Sequence, residues 1–581
     1  MVDLQIDLPR TPTLDGGVLC PACARSHGRS IDGVYPLMYL ADITGQLPYL
    51  DAAIRLLDWG QCVSHPNGSW RNEPTCSFPW KGTTVFATIA LGEALRLHGH
   101  ILDDATRRAW EDRLLRAAEF VAETFDYSTA VINYPLSAPA ALASAGLALD
   151  DADFVQQAQL RATQLTEYLS EPNHLIFGEG KPWKSVSARG CRPIDLGYNV
   201  EETLPNLVLY AHIAQDPETM DLAARSFRSH LEFMLPDGAW DNSFGTRSFK
   251  WTYWGSRTSD GCQLAAGILA DRDPIFEEMG RRNLEMLERC THDGLLHGGP
   301  HYHLAGYPPC VHHTFCHAKA LAAVLDHNGR GYEPAQRRPL PRENSVGVRN
   351  FAEAGTRLVS TGRWRATLRA SDWTGGPGYQ TGNGLVMLYH LDAGPLCAAG
   401  MTDYAPREPS NMQIHSEEAP CLTPRLELLE SGRRFSNLYD PTCTIEDAAT
   451  TPGSLRTAIG GDLYSLDGSQ PDSGTVGYRL GLELSDELAR ISVTWEGKAE
   501  RNCPMLVFPL ICSDEDDAVR LEENLVRLVK PTGELEVHTS GPADLIAQPR
   551  LFNLVPGFQF VQISLPVTRK GAWVELRFNR R

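Results

Sequence analysis

Aromatic and polar side chains alternate between Leu235 and Ala266, a stretch too aromatic and too polar for a solvated linker. Aromatic rings offer flat apolar faces to sugar rings, while amide and guanidinium groups hydrogen-bond hydroxyls and carboxylates. The stretch therefore favours a carbohydrate groove. A buried aromatic loop between helices is the alternative, because aromatic residues are core residues first. The groove interpretation makes the following residues candidate substrate contacts: Asn242, Arg247, Trp251, Trp254 and Arg257.

Histidines form a second concentration of reactive groups. One third of the chain's 18 histidines lie between positions 297 and 317. An imidazole with a pKa near 6.5 serves well as a base or as a carboxylate donor, which makes His301 and His313 candidate catalytic residues and His303 and His312 candidate substrate contacts. Two alternatives remain open. His301 and His303 could bind zinc with a further histidine or Cys310, or the histidines could simply bond backbone groups at helix ends.

Composition narrows the class of protein. The net charge of −19 over 581 residues argues against a nucleic-acid partner, although a local cluster of basic residues can still bind an anionic sugar. No stretch approaches the roughly 18 to 20 apolar residues of a membrane helix, and the first residues lack a secretory signal. We expect a soluble protein, cytoplasmic if Met1 is the native start and periplasmic or secreted if a signal was removed.

Helices that could position these groups recur from Tyr35 to about position 331. Apolar residues fall on one face of each segment, for example Trp110, Leu114 and Val121. Long loops separate alternate helices, whereas a simple bundle would need shorter connections. The pattern predicts an α/α toroid over residues 34–335, preceded by an irregular arm over residues 1–33.

Beyond a Pro-rich seam near Arg338 the apolar period changes from helical to alternating. Segments such as ISVTWE and FQFVQISL read as strands separated by turn residues. Seven or more such runs predict an antiparallel β-sandwich over residues 345–581. The predicted fold class is therefore a multidomain chain with an N-terminal α/α toroid and a C-terminal β-sandwich.

Cys20 and Cys23 form a lone CxxC pair in the N-terminal arm. No second CxxC pair follows at zinc-ribbon spacing, so simple packing is the preferred interpretation over a metal site or a redox pair. The 14 cysteines are irregularly spaced, which favours buried thiols over a disulfide framework.

The central stretch resembles part of the toroidal polysaccharide lyases of the heparinase II/III, alginate lyase and chondroitin lyase type. In those enzymes a helix ends in an Asp-Gly turn, and the loop that follows carries the catalytic tyrosine. Asp237, Gly238 and Tyr253 are similar to that arrangement. GRWRATLRASDW also resembles the first strands of the sandwich behind the toroid in heparinase-like lyases. Many such lyases carry a histidine soon after the turn, where this chain has Asn242 and Ser243. The rhamnose-glucuronate lyases are among the types it is most similar to.

The resemblance implies a role for particular residues. Related lyases place an Asn that binds the uronate carboxylate, followed by a Glu, where this chain has Tyr198, Asn199 and Glu202. Asn199 could equally cap a helix whose dipole favours the acids. Tyr253 would transfer the proton, because Arg247 and other basic residues nearby could stabilise its phenolate.

The predicted function is a carbon-oxygen lyase that cleaves a glycosidic bond to a uronic acid by β-elimination, leaving a 4,5-unsaturated uronate. Its partner would be an anionic poly- or oligosaccharide, and a homo-oligomer is an option. No cofactor is required, although a structural divalent metal, zinc or calcium, is compatible with the sequence. Two alternatives are a glycoside hydrolase on the same toroid, which needs two facing carboxylates, and a non-catalytic carbohydrate-binding protein.

Overall fold

The computed structural model describes residues 2–74, 80–128, 131–179, 184–248, 251–253, 255–256, 260–328, 337–373, 382–401, 420–498, 503–522 and 524–581. Helices occupy the first part of this range and strands the second. Among the described helices, none has the length and apolarity of a membrane span.

The helical part comprises elements that alternate between a buried and a half-exposed position. A π-helical turn, Asn199–Thr203, joins the seventh helix to the eighth. The helices are α1 (Val34–Thr44), α2 (Leu47–Trp59), α3 (Thr83–His98), α4 (Asp104–Thr124), α5 (Asn133–Leu149), α6 (Ala152–Ala162), α7 (Leu196–Tyr198), α8 (Leu204–Ile213), α9 (Pro217–His230), α10 (Gln263–Leu269), α11 (Pro274–Arg289), α12 (Val311–Asn328) and α13 (Pro341–Asn344).

Six of these helices form a closed inner ring. Contacts run from α1 to α3, α5, α8, α10 and α12, and α12 returns to α1. Helix α3 shows why it lies inside, since every residue from Thr83 to Leu95 is buried. Helix α4 lies outside, and it buries only the predicted face that includes Trp110, Leu114 and Val121. The predicted α/α toroid is therefore confirmed.

Loop lengths distinguish the two ends of the toroid. The connections that leave inner helices are short, such as residues 150–151 between α5 and α6 and residues 214–216 between α8 and α9. The connections that enter them are long, such as residues 60–82 before α3 and residues 231–262 before α10. Long loops therefore collect at the end where the inner helices begin.

A glycine turn recurs at that end. Gly68 and Gly238 have φ values of +87° and +89°, and each follows a polar residue in a turn closed by a β-bridge. A Cβ at Gly238 would lie 2.1 Å from the carbonyl oxygen of Arg282, and one at Gly68 would lie 2.0 Å from that of Arg116. The close approach of a neighbouring outer helix therefore requires glycine at both turns.

Strands dominate the second part of the chain. Short two-stranded pairs also lie in the loops of the toroid. The strands are β1 (Leu19–Cys20), β2 (Arg25–Ser26), β3 (Trp251–Thr252), β4 (Gly255–Ser256), β5 (Thr291–His292), β6 (Leu295–Leu296), β7 (Gly347–Phe351), β8 (Thr356–Thr361), β9 (Trp364–Arg369), β10 (Gly384–His390), β11 (Gly394–Ala398), β12 (Arg425–Glu430), β13 (Arg433–Ser436), β14 (Thr444–Ile445), β15 (Ala449–Thr451), β16 (Ser454–Asp462), β17 (Gly477–Ser485), β18 (Leu488–Glu496), β19 (Met505–Ile511), β20 (Asp517–Glu522), β21 (Leu525–Lys530), β22 (Gly533–Thr539), β23 (Asp544–Asn553), β24 (Phe558–Pro566) and β25 (Ala572–Arg580).

The strands from β7 onward form three antiparallel sheets. Their orders are β11-β10-β9-β8-β7, β13-β12-β19-β24-β23 and β14-β16-β17-β18-β25-β22-β21-β20, and β15 pairs with β16. In β18 the alternate residues Ala489, Ile491 and Val493 are buried, as a strand with one face on a core requires. The predicted change from helices to antiparallel strands is confirmed.

The helical and β parts pack against each other through a continuous core. Phe351, Met387 and Phe558 belong to the same apolar cluster as the toroid helices. A buried ion pair of Arg342 with Asp241 crosses the junction. Arg342 also donates to Thr367 Oγ1 at 2.5 Å, which ties the central loop to strand β9.

Candidate active site

Charged and phenolic side chains converge at the end of the toroid where the inner helices begin. Helix N-termini carry partial positive charge and favour anions. We call the following residues the polar centre: Arg29, Asn133, Tyr134, Glu179, Tyr198, Glu202, Arg247, Asp260 and Lys319. All of them are buried except Arg247, whose side chain is 12% exposed.

Arg247 is held at the rim of the polar centre. Its guanidinium forms an ion pair with Glu179 and lies 4.9 Å over the ring of Tyr198. Its backbone N–H donates to Asp195 at 2.9 Å. A guanidinium fixed in this way, yet partly exposed, can turn toward a carboxylate and bind it bidentately.

Glu202 lies deeper and holds its proton strongly. The amide of Asn133, the first residue of α5, donates to its carboxylate at 2.9 Å. Burial raises the pKa of Glu202 to about 8, with the acids Asp260 and Glu179 pushing it further up and Arg29 pulling it down. A carboxyl that is protonated near neutral pH can donate a hydrogen bond to a developing anion.

Tyr134 lies between these two groups. Its hydroxyl accepts a hydrogen bond of 2.6 Å from Trp80 Nε1. Burial raises the pKa of Tyr134 well above its ordinary value, Glu202 adds to the rise, and Arg247 opposes it. Tyr134 therefore keeps its proton at neutral pH and can act as a proton donor.

An ion cluster supports the floor of the polar centre. Arg29 Nη2 lies 2.7 Å from Asp260, and Lys319 Nζ lies 3.1 Å from both Asp260 and Asp32. Asp32, Asp260 and Cys316 are close enough together to hold a metal ion. Two protein cations already neutralise that pair of acids, so the set is a poor metal site.

Two amides predicted to contact substrate form hydrogen bonds within the fold. Asn199 donates to the carbonyl of Ile176 at 2.8 Å and lies 3.0 Å from His230 Nε2. Asn242 accepts from the N–H of Leu196 at 2.8 Å and donates to Asp195. Both amides hold the segment that carries Tyr198.

Tyr253 lies at the junction with the β part. Its hydroxyl donates to Asp237, and its ring packs 4.9 Å from that of Phe558. Burial and the Asp237 carboxylate raise the pKa of Tyr253 well above its ordinary value. Arg247, whose position in the sequence predicts that it stabilises this phenolate, forms an ion pair with Glu179 and lies over the ring of Tyr198.

A narrow cavity beside Tyr253 is lined by Asn242, Ser243, Met387 and Ala398, among others. The space that the centre of a water molecule can reach in it is about 10 Å³. The cavity therefore has room for about one water and none for a sugar ring.

The described histidines between positions 297 and 317 lie in different surroundings. His301 Nδ1 accepts from the N–H of Gln559 at 3.0 Å, and burial lowers the pKa of His301 to about 3. His303 stacks on His292 with ring centroids 3.9 Å apart. His312 and His313 are buried at the start of α12. Of the two candidate catalytic histidines, His301 thus lies at the junction with the β part and His313 at the start of α12.

Three candidate contacts cannot be placed. Trp254 and Arg257 lie outside the described residues, and for Trp251 the structure describes the strand but not the side chain.

The sequence-based candidates omitted several members of the polar centre. Asn133 and Tyr134 open α5, and their neighbour Trp80 precedes α3, so their place beside the long loops was a usable signal. No such signal existed for Glu179 and Arg29, because isolated charged residues far apart in sequence are brought together only by the ring of helices.

Comparison with known proteins shows matches along nearly the whole chain. Residues 1–343 match the family model of the ulvan lyase N-terminal domain, and residues 348–579 match that of the ulvan lyase C-terminal domain. The chain is 38% identical over 574 residues to a broad-specificity ulvan lyase of Formosa agariphila, covering 97% of this chain and 89% of that protein.

A solved lyase structure shares the fold. A xanthan lyase of Paenibacillus matches with a TM-score of 0.55 at 10% identity, over 99% of this chain and 56% of that one. The chain thus spans little more than half the length of that xanthan lyase. A chondroitin AC lyase of Streptomyces coelicolor matches over 94% of this chain with a TM-score of 0.49 at 14% identity, covering 74% of that protein.

Proposed function

This chain belongs to the ulvan lyase family, and we propose that it is a polysaccharide lyase that cleaves ulvan or a similar uronate-containing polymer. The reaction is β-elimination at the bond to the uronic acid, and the product carries a 4,5-unsaturated uronate. The observation that carries the proposal is the polar centre, where an arginine, a protonated carboxyl and two tyrosines lie together at the loop end of the toroid.

The elimination moves one proton and one pair of electrons at each step. A base takes the proton from C5 of the uronate, and the electrons of that bond form the C4=C5 double bond. The bond from C4 to the glycosidic oxygen breaks, and the leaving oxygen takes a proton. Charge grows on the uronate carboxylate in the transition state, so neutralising that group lowers the barrier most.

Arg247 and Glu202 are the groups that we assign to the carboxylate. Arg247 is the one partly exposed cation of the polar centre as defined above. Glu202 is buried with a pKa of about 8, so it remains protonated near neutral pH and can donate to an anion. The amide of Asn133 orients it.

Two tyrosines are assigned to proton transfer. Tyr198 lies under the Arg247 guanidinium that we assign to the carboxylate, and we assign to it the role of the base that takes the C5 proton. Tyr134 holds its proton strongly and fits the acid that protonates the leaving oxygen. Tyr253, which the family resemblance indicates for this role, is the alternative, and its bond to Asp237 would have to break for it to act.

The chain binds an anion despite a net charge of −19 because the local field differs from the net charge. The polar centre lies where six inner helices begin, and each N-terminus adds partial positive charge.

A hydrolase on the same toroid is a weaker proposal. Three of the acids that it could use are bonded to other parts of the fold. Asp195 accepts from the side chain of Asn242 and the backbone of Arg247, Asp241 pairs with Arg342, and Asp260 pairs with Arg29. Such engaged carboxylates are poorly placed to flank a scissile bond.

Cofactor use is part of the same proposal. Protein side chains supply the base, the acid and the neutralising groups, so we propose that elimination proceeds without a cofactor. The divalent metal considered for this chain would then be structural, and donor chemistry favours zinc over calcium where cysteine and histidine are the ligands.

Ultraviolet absorbance of the conjugated product tests the proposal. Wild-type protein should raise the absorbance of an ulvan solution, whereas Tyr134→Phe and Tyr198→Phe should slow the rise by at least roughly 100-fold while folding normally. Tyr253→Phe should retain most activity per folded molecule. Loss with Tyr253→Phe alone would move proton transfer to that residue.

Two other outcomes would overturn the reaction type. New reducing ends without ultraviolet absorbance would mean hydrolysis. Binding of ulvan, and of other uronate polymers, with no product in either assay would mean a non-catalytic protein.

A further inference from the structure

Three cysteines and a histidine meet at the junction of the N-terminal arm with the last inner helix. Cys20 ends strand β1 and Cys23 lies in the turn to β2. Cys310 immediately precedes α12, and His312 lies in its first turn. The two pairs are 290 residues apart from Cys20 to Cys310, so only the closure of the toroid brings them together.

The distances suit a metal ion. One ligand atom from each of Cys20, Cys23 and His312 lies within 4.8 Å of the others. The Sγ atoms of Cys20 and Cys310 are 4.0 Å apart. A tetrahedral zinc ion with Zn–S bonds of about 2.3 Å separates its sulfur ligands by roughly 3.8 Å. The separation of 4.0 Å is also about twice a disulfide bond length of roughly 2.05 Å.

The histidine provides an independent observation. His312 is fully buried, and neither of its ring nitrogens has a hydrogen-bond partner among the described residues. A buried polar atom without a partner costs free energy, and a metal bond to one nitrogen would remove that cost. The His312 side chain thus lies beside the thiols, and among the described residues its ring nitrogens have no hydrogen-bond partner.

We propose that Cys20, Cys23, Cys310 and His312 bind one zinc ion in a closed, structural site. Sulfur and imidazole donors select zinc over calcium, and four protein ligands leave no position for substrate or water. Cys20, Cys310 and His312 are buried and Cys23 is half-buried, as expected for a site that stabilises the fold.

The site would fasten the arm to α12. Residues after β2 lead directly to Arg29 and Asp32, and α12 carries Lys319, which lies 3.1 Å from Asp32. Zinc would therefore hold together the two chain segments that supply the floor of the polar centre. This role is independent of the reaction that the polar centre performs.

Metal content of the full-length protein is the direct test. Protein purified without added chelator should contain one zinc per chain by elemental analysis. Cys23→Ser and His312→Ala should bind zinc at least roughly 10- to 100-fold more weakly, since even outer-shell substitutions have effects of that size. Cys62→Ser is the matched control, because Cys62 is half-buried like Cys23 and donates instead to the carbonyl of Pro12.

Two further measurements use wild-type protein, so they do not depend on the folding of any variant. Cobalt(II) added to chelator-treated, reduced protein should give the visible bands of a tetrahedral thiolate site. The chelator should lower the unfolding temperature, and zinc alone should restore it. A separate comparison uses the variants: chelator should lower the unfolding temperature of Cys62→Ser as much as that of the wild type, and leave the unfolding temperature of Cys23→Ser unchanged.

Three results would overturn the site. The first is that reduced wild-type protein, when given zinc, binds no more zinc than Cys23→Ser does. Cobalt could give only octahedral spectra. A disulfide between two of these cysteines, with no zinc uptake after reduction, would assign the cluster to redox chemistry instead.

Discussion

The amide of Asn133 donates to the carboxylate of Glu202 across 2.9 Å, and it joins the first residue of one inner helix to the π-helical turn that leads into the next. An amide is a neutral donor, so this bond orients Glu202 without supplying a full counter-charge. The carboxyl therefore keeps the raised pKa that burial imposes. The same bond lowers the pKa of Glu202, but burial outweighs it and the net shift is upward.

The pKa of Glu202 predicts how stability changes with pH. Its folded value of about 8 exceeds the unfolded value of 4.5, so the folded state binds the proton more tightly. The stabilisation is complete at low pH and is lost as the pH rises from the unfolded value toward 8. The unfolding temperature of the wild type, compared with Glu202→Gln, should fall across that window. Parallel curves for the two proteins in thermal melts would contradict it.

Arg247 should tolerate no replacement by lysine. Lysine keeps the charge beside Glu179 but loses the bidentate geometry and the planar stack on Tyr198. We expect Arg247→Lys to lower kcat/KM by roughly 100- to 1000-fold with little change in unfolding temperature. Glu179→Gln is the control, because it removes the ion pair and leaves the arginine in place. Equal activity of Arg247→Lys and wild type would refute the assignment.

Asp241 should prove structural. Removing its charge leaves Arg342 buried without a counter-charge, which typically costs about 3–5 kcal/mol. Asp241→Asn should therefore unfold at a clearly lower temperature while its activity per folded molecule, measured well below that temperature, stays near wild type. The fully exposed Asp447 gives a control, and Asp447→Asn should change neither quantity. Abolished activity in folded Asp241→Asn would instead support a hydrolase.

Gly238 and Gly294 provide a matched pair for backbone strain. Both have positive φ, at +89° and +73°, but a Cβ at Gly238 would lie 2.1 Å from the Arg282 carbonyl oxygen, whereas nothing lies within 4 Å of one at Gly294. Gly294→Ala should cost about 1 kcal/mol, the penalty of the left-handed conformation. Gly238→Ala should cost more, because the outer helix must also move. Chemical denaturation compares them, and equal midpoints would show that the clash relaxes freely.

The fold was largely readable from the sequence because burial follows periodicity. The apolar face of α4 and the alternation in β18 each repeat the spacing of their element. The Asp-Gly turn before the central loop likewise indicated the position of Gly238, where the structure has one of its two matching glycine turns.

The site was less readable because its partners are distant in sequence. Basic residues near Tyr253 in the chain suggested a cationic environment, yet the fold gives its hydroxyl to Asp237 and places Arg247 on Tyr198. The side chains of the adjacent residues His312 and His313 also leave α12 in different directions, because successive helical residues are rotated by about 100°. Sequence motifs for zinc sites likewise describe ligands that are close together in the chain. They cannot pair Cys20 with Cys310, which is 290 residues away.

The closed ring of inner helices also constrains the order of folding. Asp32, beside the first inner helix, finds the ammonium of Lys319 on the last one, 287 residues later. During synthesis Asp32, which also lies 3.4 Å from Arg29, must wait for Lys319 until the last inner helix has been made. Contacts of such long sequence separation form slowly. We expect a nascent chain that ends before α12 to be an incomplete toroid, exposed to chaperones and proteases until α12 closes the ring.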